Sequence, residues 1–187
     1  MGGMSTANGK VVVNRSMSLD GFIAGPGDAM DWIFDFMAPG GESFPEVMAA
    51  TGAMLIGRRT YEVGKRMAGN RDEDTPAYDG GAEFVLTHEP PHPPDPAVTF
   101  LTGDIGDAVA TALGAAGGKN LEILGADVAR QCLQQGLVDE ILVYVVPVLL
   151  GDGVRFFSSP GLSRIDLEPL GSTRSGAVTI LRFRVRK

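Results

Sequence analysis

The feature that most constrains the fold is a pattern that occurs twice in the chain. In each case an apolar run ends in glycine and leads directly into a helix-forming segment: residues 54–62 read MLIGRRTYE, and residues 121–129 read LEILGADVA. A short apolar run that ends in glycine is typical of a buried strand, and a strand that turns into a helix is the unit of a parallel sheet. The pattern therefore predicts an α/β fold.

The remaining sequence continues this alternation. We predict strands at residues 10–17, 53–57, 83–87, 98–101 and 120–124, and helices at residues 42–50, 59–66, 104–115 and 127–135. A β-rich end follows, with strands at 140–146, 165–173 and 177–186, the last two joined by a hairpin at Ser175 and Gly176. The expected fold is three-layered, with a mostly parallel central sheet flanked by helices and an antiparallel C-terminal hairpin. Residues 1–9 are expected to form a flexible tail and residues 10–187 a single domain.

Composition narrows the function classes. The 187 residues carry a net charge of −7, which argues against nonspecific binding to nucleic acid or an anionic membrane. Residues 1–9 lack the pattern of a signal peptide, so we expect a cytoplasmic protein. Cys132 lies in an apolar helix pattern, which indicates a buried thiol. His88 and His92 have no further ligands at useful spacing, so no metal site is predicted.

Three loops should lie side by side, because ligands in parallel sheets bind beyond the carboxyl ends of the strands. They are residues 18–25, 57–60 and 125–129. A helix that begins after a strand presents unpaired backbone N–H groups that bind anions, and Arg58 and Arg59 add planar donors suited to phosphate. The alternative is an ordinary helix start with surface arginines, and the third loop has the same alternative of a common α/β turn.

Four segments together resemble a known family. They are residues 16–24 (SMSLDGFIA), 57–62 (GRRTYE), 124–129 (LGADVA), and 136–141 (GLVDEI) continuing to 147–153 (PVLLGDG). In this order they resemble the dihydrofolate reductase superfamily, and within it the C-terminal reductase domain of the riboflavin-biosynthesis deaminase-reductase enzymes. The resemblance covers nearly the whole chain from Lys10 onward.

The resemblance implies NADPH as cofactor and hydride transfer to a pterin-like or pyrimidine-like ring. It implies that Arg58 and Arg59 meet the adenosine 2′-phosphate and the pyrophosphate, that Thr60, after Gly57, donates to a pyrophosphate oxygen, and that Thr87 and His88 hold the 2′-phosphate. Ile23 and Ala24 match the segment that lies against the nicotinamide amide. The pyrophosphate cradle would comprise Leu124, Gly125, Ala126, Asp127, Val128 and Ala129. Leu124 departs from the family pattern, because many relatives carry glycine there.

The substrate side is less closely defined. Asp20 matches the Ser-Leu-Asp-Gly element of the riboflavin-type reductases and is the predicted catalytic residue, with a turn aspartate as the alternative. The further predicted substrate-binding residues are Ser18, Asp31, Trp32, Gly151 and Asp152. Trp32 could stack on a flat heterocycle or pack as a core or lid residue, and residues 151–153 could approach a ribose or phosphate tail or form a simple tight turn.

Two functions from different classes fit these residues. The first is an NADPH-dependent reductase similar to 5-amino-6-(5-phosphoribosylamino)uracil reductase, without the deaminase half, since its zinc signature is absent. The second is an NADP(H)-binding protein without efficient catalysis. A true dihydrofolate reductase is less favoured, because neither Asp35 nor Glu42 has the register of that family's first-helix acid. The segment 140–146 and the hairpin predict a homodimer, with an ordinary buried strand as the alternative.

Overall fold

A computed structural model describes residues 9–36, 43–69, 81–158 and 160–187. Two short 3-10 helices, Pro26–Asp28 and Asp31–Phe36, follow the second strand. Over the described ranges, no helix combines the length and the apolar character needed to cross a membrane. The strands are β1 (Val11–Ser18), β2 (Phe22–Ala24), β3 (Thr51–Gly57), β4 (Ala82–Leu86), β5 (Thr99–Leu101), β6 (Asn120–Leu124), β7 (Glu140–Val146), β8 (Val154–Arg155), β9 (Leu167–Ser175) and β10 (Val178–Val185), and the helices are α1 (Ser43–Ala50), α2 (Arg58–Ala68), α3 (Ile105–Ala115) and α4 (Ala126–Gln134).

Eight strands form the central sheet in the order β5-β4-β3-β6-β1-β7-β10-β9. The first six are parallel, and β10 pairs antiparallel with both β7 and β9. The predicted fold class is therefore confirmed, including the C-terminal hairpin. Because β1 lies between β6 and β7, its carboxyl end is central to the sheet, where ligand sites of parallel sheets form.

The main core lies between one face of the sheet and helices α3 and α4. Val13, Leu55 and Leu121 are completely buried there, as their apolar strand patterns predict. Cys132 on α4 is also buried, and burial raises the pKa of its thiol to about 12. The prediction of a buried thiol at this position is confirmed.

The opposite face of the sheet carries a smaller apolar cluster with a polar neighbour. Val12, Leu142 and Tyr144 pack together there with Val47 of α1. Beside them the buried Glu122 accepts hydrogen bonds from Asn14 Nδ2 at 3.2 Å and from Thr51 Oγ1 at 2.8 Å. These bonds satisfy a carboxylate that would be costly to bury alone.

The sequence did not predict the second sheet, in which β2 pairs with β8. Strands of three and two residues are too short to show a period, so no pattern distinguished them from loops. Several predicted bounds also shift: α2 begins at Arg58 rather than residue 59, and β9 begins at Leu167 rather than residue 165. The predicted first helix residue Glu42, the loop 70–80 and the tail 1–8 lie outside the described residues.

Candidate active site

A cavity of about 470 Å³ lies at the carboxyl ends of the central strands. It extends from the loops that follow β5 and β4, past β3 and β6, to β1, in the order in which these strands neighbour one another. This volume is within the range of small-molecule and cofactor sites. The lining residues are Arg15, Ile23, Ala24, Asp28, Met30, Gly57, Arg58, Arg59, Thr60, Val63, Leu86, Thr87, His88, Glu89, Gly103, Ala126, Asp127, Val128, Gln131 and Val154.

Two helices begin side by side at the middle of this cavity. Gly125 precedes α4 with φ of +100°, a conformation that L side chains rarely adopt, and a Cβ placed there would lie 2.4 Å from Thr60 Oγ1 in the first turn of α2. Gly57 precedes α2, and a Cβ on it would lie 3.2 Å from Val128 Cγ2. Close approach therefore requires glycine at Gly125. Both helix N-termini, with their unpaired N–H groups, are brought to one place.

Arg58 and Arg59 lie at the outer part of the cavity and are held by neighbouring groups. Arg58 donates from Nε to Glu62 Oε1 at 2.9 Å and from an Nη to the Glu89 carbonyl at 3.1 Å. Arg59 Nε donates to both carboxylate oxygens of Asp28, at 2.9 and 3.0 Å. The two arginine side chains are 50% and 68% exposed, so solvent screens these pairs and a stronger anion can replace them.

Asp28 holds a second arginine as well. Its carboxylate lies 3.6 Å from an Nη of Arg66, and its hydrogen bond and charge raise the pKa of Arg59. The residue adopts a φ of +63°, which is uncommon for a side chain other than glycine. Asp28 thus places a negative charge among the cationic groups of the cavity, where a phosphate would compete with it.

The far end of the cavity, after β4, is polar. Thr87 is buried, and its hydroxyl exchanges hydrogen bonds with the backbone of Glu89 at 3.2 and 3.3 Å. His88 beside it is exposed. Across the cavity, Asp127 in the first turn of α4 accepts hydrogen bonds from Arg130 and Gln131. Burial alone would raise the pKa of Asp127, but these bonds lower it below its usual range.

Arg15 marks the inner end of the cavity, on the central strand β1. Its register partner on β7 is the buried Val143, and the neighbouring positions on the same face of β1 are Val13 and Met17, which belong to the main core. The Nε atom is buried and finds no hydrogen-bond acceptor among the residues that the structure describes. Burial is the cause that lowers the pKa of this guanidinium.

Asp20 does not line the cavity; it joins two loops beside it. Its carboxylate accepts hydrogen bonds from Ser18 Oγ at 2.6 Å, from the Leu150 N–H at 3.1 Å and from the Gly151 N–H at 2.8 Å. The Ser18 bond, followed by the two backbone bonds, lowers the pKa of Asp20 to about 2. The carboxylate is therefore ionised near neutral pH, and this geometry favours the turn role that the sequence left open.

The structure places most of the predicted cofactor residues on the cavity lining but none of the predicted substrate residues. The cavity lining includes Ile23, Ala24, Gly57, Arg58, Arg59, Thr60, Thr87, His88, Ala126, Asp127 and Val128, but not Leu124, Gly125 or Ala129. Ser18, Asp20, Asp31, Trp32, Gly151 and Asp152 are not part of this lining. The buried indole N–H of Trp32 has no acceptor within the described part of the chain, which fits a packing role.

Sequence reasoning missed three charged residues of the cavity, Arg15, Asp28 and Glu89. Arg15 had a visible signal, because Val11, Val13 and Met17 share its inward-facing period on β1 and a charge there breaks the pattern. Asp28 had none, since its contact with Arg59 joins positions 31 residues apart through a loop. Loop conformation of this kind is set by tertiary contacts.

Known proteins share both this architecture and part of this sequence. The uncharacterized protein YwjB of Bacillus subtilis is 29% identical over 151 residues, covering 79% of this chain and 82% of YwjB. A crystal structure from Shewanella sp. PV-4, of a protein provisionally assigned to riboflavin biosynthesis, is 26% identical with a TM-score of 0.78 and covers 95% of this chain and 99% of that one.

Longer enzymes share the fold. The deaminase/reductase from Thermotoga maritima, named for 5-amino-6-(5-phosphoribosylamino)uracil reduction, superposes with a TM-score of 0.64 at 15% identity, and this chain covers 57% of it. RibD of Acinetobacter baumannii superposes with a TM-score of 0.67 at 18% identity, with 59% of its length covered. The profile of the RibD C-terminal domain matches residues 9–181. The chain is therefore a member of the RibD C-terminal domain family, within the dihydrofolate-reductase-like superfamily.

Proposed function

We propose that the protein is an NADPH-dependent reductase that transfers hydride to a small pyrimidine-like or pterin-like heterocycle, resembling 5-amino-6-(5-phosphoribosylamino)uracil reductase. The observation that carries this proposal is the meeting of two helix N-termini at Gly125 and Thr60, inside a cavity lined by Arg58 and Arg59. Paired helix starts with adjacent arginines suit a ligand that carries several phosphates. Membership of a family of reductase domains supports the same function.

The residues present fit a phosphorylated dinucleotide. A Cβ at Gly125 would clash with Thr60 at the junction between α2 and α4, so glycine there allows the two helix N-termini to lie close enough to bind one pyrophosphate together. The cavity crosses the ends of several strands, which suits an extended ligand rather than a compact one. Its polar end beyond β4 and its apolar end beside β2 match the two chemically different ends of such a cofactor.

Each group then has a defined role. Arg58 and Arg59 would bind phosphate oxygens after releasing Glu62 and Asp28, and Thr60 would donate to the pyrophosphate. Thr87 and His88 would hold the 2′-phosphate at the polar end, and the backbone of residues 125–129 would cradle the pyrophosphate. The backbone of Ile23 and Ala24 would lie against the nicotinamide amide. When bound, NADPH supplies the hydride, and the protein supplies orientation.

On the substrate side, we assign Asp20 a positioning role rather than proton donation. A carboxyl group with a pKa of about 2 carries no proton to give near neutral pH. Its bonds to Leu150 and Gly151 instead fix the loop that leads into β2 and hence the placement of Ile23 and Ala24. The proton for the reduced ring would then come from water. Ser18, Asp31, Trp32, Gly151 and Asp152 remain proposed as substrate-side residues.

A second candidate function is an NADP(H)-binding protein that does not turn over efficiently. It is favoured by the ionised state of Asp20, which leaves the predicted catalytic group without a proton. A true dihydrofolate reductase has less support, because Asp35 is exposed and does not line the cavity.

The proposed function is tested first by binding. NADPH and NADH are titrated against the wild type and an Arg58→Ala, Arg59→Ala variant, with cofactor fluorescence as the signal. We expect NADPH to bind more tightly than NADH and to lose roughly 10- to 100-fold in affinity in the variant, as charged hydrogen bonds to phosphate are removed. An Arg164→Ala, Arg186→Ala variant, which removes the same charge from exposed positions outside the lining, is the control.

Failure of the wild type to bind either nucleotide would overturn the proposed function. If NADPH binds, its oxidation is followed in the presence of pyrimidine and pterin substrates. Substrate-dependent oxidation separates the reductase from the protein that binds without turnover, which would show affinity alone.

We also propose a homodimer. β7, part of the predicted interface, lies inside the sheet between β1 and β10 and is buried within one chain. The remaining surface is the edge strand β9, where Leu167 and Leu170 are exposed, and exposed apolar edges tend to pair. A dimer by sedimentation at micromolar concentration that dissociates on Leu170→Lys would support this interface, and a monomeric wild type would rule it out.

A further inference from the structure

Arg15 is a partly buried cation on the cavity wall, and no described residue supplies it with a counter-charge. It lies on the apolar face of the central strand, opposite Val143 and between Val13 and Met17. Its Nε is buried and has no hydrogen-bond partner among the described residues. Buried charges in proteins are normally paired, so an arginine in this state on the wall of a cavity indicates that its partner is a ligand.

The other charged residues of the lining do not serve this role. Asp28 is bound to Arg59 and lies near Arg66. Asp127 is bound to Arg130 and Gln131 on its own helix. Glu89 follows β4, three strands away from β1 in the sheet. The charge of Arg15 is therefore available at the inner end of the cavity.

The surroundings of Arg15 indicate the shape of the missing partner. Ile23 and Ala24 of β2 and Val154 of β8 line the same cavity, and the pairing of β2 with β8 places them together. These apolar side chains suit the face of a flat ring. The guanidinium offers two parallel donors to an oxygen pair at the edge of that ring. A neutral carbonyl would leave the buried charge uncompensated, whereas an anionic oxygen would neutralise it.

We propose that Arg15 forms an anion subsite that selects a heterocyclic acceptor carrying a carboxylate or a ring oxyanion. This inference rests on the proposed function, because it assumes that the inner end of the cavity receives the acceptor. It assigns to the substrate a charge at a defined place: the edge that faces β1.

A matched pair of pyrimidines tests the proposal. Orotate carries a carboxylate, and orotamide is its neutral isostere. Each is titrated into the NADPH-bound wild type and into Arg15→Gln, Arg15→Lys and Arg164→Gln variants, with binding followed by NMR. We expect the wild type to prefer orotate by about 10-fold or more. Arg15→Gln should lose the preference, Arg15→Lys should retain part of it, and Arg164→Gln, an exposed charge change, should behave as the wild type.

A direct signal from the side chain accompanies the titration. The Nε–H resonance of Arg15 should shift on addition of orotate and not on addition of orotamide, a change that a merely structural role would not produce. Equal affinity of the wild type for the two pyrimidines, or a preference that persists in Arg15→Gln, would overturn the proposal. Absence of orotate binding up to about 20 mM, far weaker than the affinity of a charge-paired ligand, would overturn it as well.

The cofactor titration separates this inference from the proposed function. If Arg15→Gln weakens NADPH but leaves 2′-phospho-ADP-ribose unaffected, and orotate shows no preference, Arg15 serves the nicotinamide amide; the subsite is then overturned while the reductase proposal stands. If NADPH does not bind the wild type, the titration is repeated without it, and a preference for orotate that depends on Arg15 supports the subsite although the proposed function has failed.

Discussion

Arginines line two parts of one cavity in opposite states. Arg58 and Arg59 at the outer part are at least half exposed, and each already holds an acceptor, Glu62 and Asp28 respectively. Arg15 at the inner end lies among apolar side chains, and its Nε lacks a partner within the described ranges.

The difference separates two ways of binding an anion. Exposed, paired arginines cost the fold little, but a ligand has to displace their partners and salt screens what it gains. A partly buried, unpaired arginine costs stability, yet a ligand that reaches it meets no competing acceptor, and the charge is screened less than at the surface. The outer part of the cavity, at Arg58 and Arg59, therefore suits general phosphate binding. The inner end, at Arg15, suits selection of one kind of ligand.

The largest effect is expected when the close contact between the N-termini of α2 and α4 is disrupted, because the proposed phosphate site depends on it. Gly125→Ala would place a Cβ 2.4 Å from Thr60 Oγ1 at a φ of +100°. We expect the free energy of unfolding to fall by about 1–3 kcal/mol and NADPH affinity to fall on the order of 100-fold. Gly114→Ala in α3, where a Cβ meets nothing within 4 Å, is the control. Unchanged cofactor affinity in Gly125→Ala would show that the helix starts do not form the site.

The cost of Arg15 to the stability of the fold can be measured without any ligand. Arg15→Met keeps an unbranched side chain and removes the partly buried, unpaired charge, so the free energy of unfolding should rise by ~1–3 kcal/mol. Urea denaturation of the wild type and the variant measures this change. Arg164→Met, at an exposed position, should change stability by less than about 0.5 kcal/mol. A loss of stability in Arg15→Met would mean that the fold itself uses the charge.

Asp28 and a bound phosphate would compete for Arg59, so removing the Asp28 carboxylate should produce a modest gain in NADPH affinity. Asp28→Asn removes the carboxylate that occupies Arg59, so NADPH should bind about 2- to 5-fold more tightly. The gain should shrink as salt concentration rises. Asp166→Asn breaks an exposed pair with Arg164 outside the cavity lining and should leave affinity unchanged. Weaker NADPH binding in Asp28→Asn would instead show that Asp28 contacts the bound cofactor.

The smallest effect is expected at Asp20, in the loop between β1 and β2, and this effect on stability depends on pH. The pKa of Asp20 is lowered from 3.8 to about 2 in the folded state, so its contribution to stability is present above about pH 4 and is lost as the pH falls towards 2. Asp20→Asn should lower the melting temperature by a few degrees at neutral pH, and the difference from the wild type should shrink over that acidic range. Circular dichroism melts across pH 2–7 measure this, and a difference independent of pH would contradict it.

Much of the fold could be predicted because its signals are local. The segments that became β3 and β6 are rich in apolar residues, and each leads through a glycine into a helix-forming segment. The two helix N-termini and their position at one edge of the sheet could therefore be predicted from the sequence. The small β2–β8 sheet and the Asp28–Arg59 pair could not be predicted, because each depends on how distant loops meet. Arg15 could be predicted in part. Its inward-facing position follows from the alternation of residues along β1, but only the folded chain shows that its Nε has no hydrogen-bond partner among the described residues.

The bonds between Asp20 and the backbone of Leu150 and Gly151 also bear on the order in which the protein is made. They join positions 130 and 131 residues apart, and β2 likewise pairs with β8 at residues 154–155. Helices α2 and α4 are both complete by residue 134. A chain that emerges from the ribosome with its N-terminus first therefore acquires the two helix starts before it can close the wall around Arg15.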